Sequence, residues 1–81
     1  MNHAAKQKKH LAYRLKGRFG LKVPKGRAQS DLKKLIYKSK AIYLGKGTPE
    51  TRTKFMVLYQ NQLMTIVYDK KTKVVVTAWG I

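Results

Sequence analysis

Lys54–Trp79 reads KFMVLYQNQLMTIVYDKKTKVVVTAW, and the fold turns on this stretch. Three runs, KFMVLY, LMTIVYD and KVVVTAW, are rich in Val, Ile, Thr and aromatic residues, the composition of strands. QNQ and DKKTK separate them, and both are short enough for hairpins. The stretch therefore predicts a three-stranded antiparallel meander. In the last run, alternation puts Lys73, Val75, Thr77 and Trp79 on one side, and Val74, Val76 and Ala78 on a core-facing side.

Upstream, the periodicity is that of helices. Ala4 to Arg18 has no Gly or Pro before Gly17 and is rich in helix formers. At about 100° per residue, Ala4, Leu11, Leu15 and Phe19 fall on one arc bordered by Ala5 and Ala12, the expected buried face. Gly17, Gly20 and Pro24 close this helix, and LKVPKGRAQ follows as a loop. A second helix is predicted from about Asp31 to Ser39, with Ser30 as N-cap and Leu32, Leu35 and Ile36 facing the core. AIYLG (Ala41–Gly45) fits either a short strand or a helix end. GKGTPETRT reads as a loop, flexible at Gly45 and Gly47 and stiffened at Pro49. Helices followed by a meander specify an α+β fold: two N-terminal helices packed on one face of a three- to four-stranded antiparallel β-sheet.

The 81 residues suffice for one small domain, residues 1–81, with a thin core. There is no cysteine, so disulfides and thiolate metal sites are excluded. No apolar run approaches the length of a membrane span, and MNHAAKQKKH lacks the apolar segment of a signal peptide. The expectation is a cytoplasmic protein.

Charge is the strongest signal. Nineteen Lys and Arg face three acids, a net charge of +16. Residues 1–40 hold thirteen of the basic residues and only Asp31 among the acids. Such density repels itself unless a polyanion offsets it, and nucleic acid is the expected partner. With acids only at 31, 50 and 69, two-metal and paired-carboxylate chemistries lack their ligands. No phosphate-cradling glycine motif occurs, and His3 and His10 have no evident third partner for zinc. No metal and no cofactor are expected.

On the first helix, His3, Gln7, His10, Arg14 and Arg18 share an arc of about 80° bordering the apolar stripe. His10 and Arg14 are one turn apart, within reach of a single phosphate. Lys8 falls in the apolar arc, and Lys9 lies away from it. The early KKHLAYRLKGRFG (Lys8–Gly20) and the late YDKKTKVVVTAW (Tyr68–Trp79) together resemble the small metal-independent ribonuclease toxins. These form the barnase–EndoU–colicin–RelE superfamily, and the tRNA-cleaving colicin D type is most similar, with RelE-like enzymes beside it.

The resemblance implies a metal-independent RNA endonuclease acting on tRNA or on mRNA at the ribosome. It implies an acidic antitoxin or immunity protein as a partner. His10 would be the acid–base group with Lys8 or Lys9 beside it, Thr77 would bind phosphate, and Arg14 would stabilise charge. Arg18, Arg52, Lys54, Tyr68, Lys73 and Trp79 would contact RNA. The sequence departs from the colicin D pattern in three places. Gln7 stands at the third position before His10, Thr77 replaces a serine, and Gly17–Gln29 has no counterpart.

Such chemistry needs one group to take the 2′-OH proton, another to protonate the 5′-oxygen, and fixed cations around the phosphorane. Histidine fits either proton role, and crowding cations should favour its neutral form. A second reading is a non-catalytic RNA- or DNA-binding module, such as a ribosome- or polymerase-associated factor, in which Tyr13, Tyr37, Tyr43 and Tyr59 stack on bases. A third is a cationic protein acting on membranes or on an acidic partner.

Overall fold

The structure is a computed structural model that describes residues 3–47 and 50–80, with side chains from Ala5 onward. Two helices, α1 (His3–Phe19) and α2 (Lys25–Tyr37), precede four strands. These are β1 (Ile42–Lys46), β2 (Arg52–Tyr59), β3 (Gln62–Asp69) and β4 (Val74–Trp79), in antiparallel order β1-β2-β3-β4. The α+β fold is as the sequence predicts. Ala41–Gly45 resolves as a strand, so the sheet has four strands, and Gly45 and Lys46 belong to β1 rather than to a loop. The side chains of His3 and Ala4, and the stiffening read at Pro49, lie outside the described residues.

Both helices pack on one sheet face, α1 mainly along β4 and α2 against α1. Leu11 and Leu15 of α1 and Ala28 and Leu32 of α2 meet Val57, Tyr59, Met64, Ile66, Val75 and Ala78. These ten side chains form one cluster, a thin core as so short a chain allows.

α2 begins six residues earlier than the sequence reading. Pro24 is the N-cap at φ −55°, and its carbonyl accepts from Ala28 N–H at 2.9 Å. Proline has its φ already set and needs no partner for an N–H, so the loop ends there and Ser30 lies inside the helix. The earlier start adds Ala28 and Gln29 to the buried side, extending the stripe of Leu32, Leu35 and Ile36. The end also moves. Ser39 sits at φ +57°, with Ser39 N–H bonded to Ile36 C=O and Lys40 N–H to Leu35 C=O. That is a Schellman closure, and it stops the helix at Tyr37.

The β2–β3 hairpin closes on Gln60 and Asn61, both at positive φ (51° and 62°), between the paired residues Tyr59 and Gln62. Two consecutive left-handed residues make the type I′ turn whose twist matches the strands.

β4 does not alternate as predicted. Thr77 pairs with Val67, but Val75 pairs with Tyr68, so Val76 is an inserted bulge residue. One extra residue shifts side-chain parity. Val75 therefore joins Ala78 in the core, and Thr77 stays on the uncovered face with Val67. Lys73 lies outside β4, exposed in the β3–β4 turn at φ +58°.

As an edge strand, β4 would leave backbone groups unpaired, and two long side chains supply the partners. The Gln29 carboxamide donates to Val75 C=O at 2.7 Å and accepts from Val75 N–H at 2.8 Å, as a neighbouring peptide unit would. Arg18 Nη1 donates to Ala78 C=O at 2.9 Å. Gln29 is 4% exposed, so Gln29→Leu strands a buried N–H and C=O in an apolar setting. A loss of about 2–4 kcal/mol follows, read as a lower urea midpoint at unchanged m.

Candidate nucleic-acid interface

The buried polar groups set the scaffold for the site. Gln7, expected on the basic arc, is 5% exposed and points inward. Its Nε2 donates to Asp69 Oδ2 at 3.2 Å, and its Oε1 accepts from Thr72 Oγ1 at 2.7 Å. Asp69 also accepts from Lys71 N–H at 2.9 Å and lies 3.8 Å from Arg52 Nε. Burial alone would raise the Asp69 pKa. The bonds from Gln7 and the backbone of Lys71 and Thr72, with the Arg52 charge, outweigh it and hold the carboxyl below 3.8. This hub locks α1 to the β3–β4 turn and holds Arg52 in place.

On α1, His10, Arg14 and Arg18 come together as the helical spacing requires. Arg14 Nε–H donates to His10 Nε2 at 3.4 Å. Burial, then the charges of Arg14 and Arg18, lower the His10 pKa below 6.5, so the imidazole is neutral at pH 7. Arg18 also reaches the outer edge of β4 at Ala78. This stripe therefore runs beside the edge strand on the helix side of the molecule. Lys8 is not part of it. Half-buried, it lies on the other flank of the Leu11–Leu15 stripe, about 160° around the helix from His10. Lys9 is exposed and about 100° from His10.

Thr77 belongs to a different place. Register puts Lys54, Val67 and Thr77 in one cross-strand row, and Ile42, Met56, Thr65 and Trp79 in the next, on the face away from the helices. There a cleft of about 370 Å³ is lined by Lys46, Gly47, Arg52, Lys54, Val67, Thr77 and Trp79. Among the described residues, none of α1 and no carboxylate lines it. The convergence of His10 and Thr77 on one groove is thus not what the fold produces. The helix layer carries one and the uncovered sheet face the other, since Thr77 pairs with Val67 on the face away from the helices.

Arg52, Lys54, Thr77 and Trp79 are brought together, and Lys46 joins them unforeseen. The signal for Lys46 was its place at the end of a strand beside the Arg52 strand, legible only once Ile42–Lys46 is known to be β1. Tyr68 is not in the cleft. It lies half-buried on the helix-covered face, its phenol pushed up to about 12 by burial and by neighbouring Tyr37. Tyr59 is no stacking platform either, being 6% exposed. Its hydroxyl donates to Asp31 Oδ2 at 2.7 Å, and burial with that bond raises its pKa to about 12. Tyr13, Tyr37 and Tyr43 are exposed.

Among the described residues no three His, Cys, Asp or Glu side chains group as metal ligands, and no helix is long and apolar enough to cross a membrane. No family profile, curated protein or solved structure is a significant match to this chain.

Proposed function

We propose that this chain binds single-stranded RNA on the uncovered face of its sheet, with phosphates at Lys46, Arg52 and Lys54 and a base against Trp79. The observation that carries this reading is the cleft itself. Among the described residues it joins three cations, one hydroxyl and one indole, with no carboxylate in its lining. Lysines and arginines gain affinity from phosphates by releasing counterions, and an aromatic face stacks on any base. Arg52 is a positioned cation, since its Nε faces Asp69 while its side chain remains 31% exposed. The net charge of +16 adds a long-range field that steers polyanions.

Trp79 is the single tryptophan, so its fluorescence reports on the cleft directly. Titration with single-stranded RNA should quench it, and affinity should fall steeply with salt. Binding of equal strength to a duplex, with no change in fluorescence, would place the contact elsewhere.

A second reading is metal-independent endonucleolytic cleavage, and the His10 geometry favours it. A neutral imidazole beside two guanidiniums suits a base that takes the ribose 2′-OH proton, provided its Nε2 lone pair turns from Arg14 Nε–H to the hydroxyl. The freed oxygen would attack phosphorus and expel the 5′-oxygen, which takes a proton from solvent or Lys9, leaving a 2′,3′-cyclic phosphate. Arg14 and Arg18 would carry the developing charge. On this reading Thr77 binds RNA and takes no part in the chemistry. In EDTA, wild-type protein should cut RNA, His10→Ala should not, and both should quench Trp79 equally. RNA left intact by the wild type would rule cleavage out while leaving the binding proposal standing.

A further inference from the structure

We infer that β1 is a docking edge for an extended acidic segment of a partner protein, which pairs with it backbone to backbone. The two edges of the sheet are built differently. At β4, Gln29 and Arg18 occupy outward backbone groups and α1 packs alongside. At β1, among the described residues, no side chain bonds to the backbone, and β2 is the sole neighbouring strand.

Three consecutive apolar side chains of β1 face water. Ile42 is 57% exposed, Tyr43 59% and Leu44 47%. Ile42 shares the uncovered face with Met56, and Tyr43 lies on the other face, where it meets Phe55 edge-on at 6.1 Å. Apolar exposure on both faces of one edge strand is what an added strand would cover, since alternate side chains of the newcomer pack above and below. Protected edges usually carry a charge, a proline or a bulge. β1 carries its irregularity between Tyr43 and Gly45, where Gly45 adopts φ +127°, and its charge at the end, Lys46, so Ile42 and Tyr43 are the part of the edge left open.

Charge selects the occupant. Lys38 and Lys40 precede the strand, Lys46 ends it, and Lys54 pairs with Gly45. A second copy would set these lysines against their own counterparts, between chains that each carry +16. Glutamates or aspartates alternating with apolar residues would meet both the lysines and the exposed Ile42, Tyr43 and Leu44. Lys46 and Lys54 also line the Trp79 cleft, but the inference is carried by the open backbone edge and the apolar side chains of β1 and does not rest on the RNA reading.

The probe is a nine-residue peptide alternating valine and glutamate, added at millimolar concentration to isotopically labelled protein. Amide shifts and slowed hydrogen exchange should appear at Ile42–Lys46. The same peptide N-methylated at alternate residues keeps its charge but cannot pair, and should bind at least about tenfold more weakly. Ile42→Asn, which removes the apolar contact without adding charge, should weaken binding of the parent peptide, whereas Trp79→Ala should leave it unchanged. Equal binding of the N-methylated peptide, perturbation confined to α1 or to the Trp79 cleft, or no perturbation would each overturn the inference. Self-association through β1 in sedimentation would do so as well, since a second copy would then be the occupant.

Discussion

Asp69→Ala should remove about 3–5 kcal/mol of stability, the cost of breaking one partner out of a buried charged network. A domain of this length has on the order of 4–12 kcal/mol in total, so the variant should be partly or wholly unfolded at 25 °C. The physical reason is that several groups lose an acceptor at once. Gln7 Nε2 and Lys71 N–H lose their hydrogen bonds, and Arg52 Nε, already buried without one, loses its counter-charge. Urea denaturation followed by circular dichroism measures the loss. Asp69→Asn keeps the shape and one acceptor oxygen, so it should fall between the variant and the wild type.

The same carboxylate sets an acid limit. Its pKa is lower folded than unfolded, so its contribution is complete above pH 3.8 and is lost as pH falls through the lower folded value. In Asp69→Asn the acid transition should lose this component. An unchanged midpoint in Asp69→Ala would mean that Gln7 and Thr72 alone hold α1 to the turn.

The second large effect concerns binding. The triple variant Lys46→Ala, Lys54→Ala, Trp79→Ala should lose at least roughly 100-fold in affinity for single-stranded RNA at low salt. Base stacking on an aromatic side chain contributes about 1–3 kcal/mol, which alone is roughly 5- to 150-fold. Each phosphate contact removed should flatten the plot of log K against log salt by about 0.7, so the two lysines together should flatten it by about 1.4. Lys46 and Trp79 keep solvent-facing surface and sit outside the core cluster, so the fold should survive, which circular dichroism checks. Arg14→Ala with Arg18→Ala provides the contrast. If RNA lies in the cleft, Trp79 quenching persists in that variant. Loss of binding there, with the triple variant unaffected, would move the contact to α1.

The candidate site was partly legible, and the reasons differ residue by residue. His10, Arg14 and Arg18 were grouped correctly because helical spacing is local arithmetic. The helical wheel alone puts Lys8 in the apolar arc, and only the resemblance sets it beside His10. The wheel puts Gln7 on the basic arc bordering the apolar stripe, and nothing local announces that Asp69 and Thr72, more than sixty residues later, will bury it. The β4 bulge was invisible because VVVTAW reads the same with or without an inserted residue. That one insertion decides that Val75 and Thr77, two apart in the sequence, lie on opposite faces of the sheet.

From its sequence alone this chain had its element types, an α+β layering and a polyanion-attracting charge, all consequences of short-range periodicity and composition. Tertiary structure alone decided where α2 begins, that β1 completes the sheet, and which basic residues share a surface. Those outcomes depend on strand register and on long-range burial. A one-residue shift in register moves a side chain to the opposite face of a sheet, and no local pattern records it.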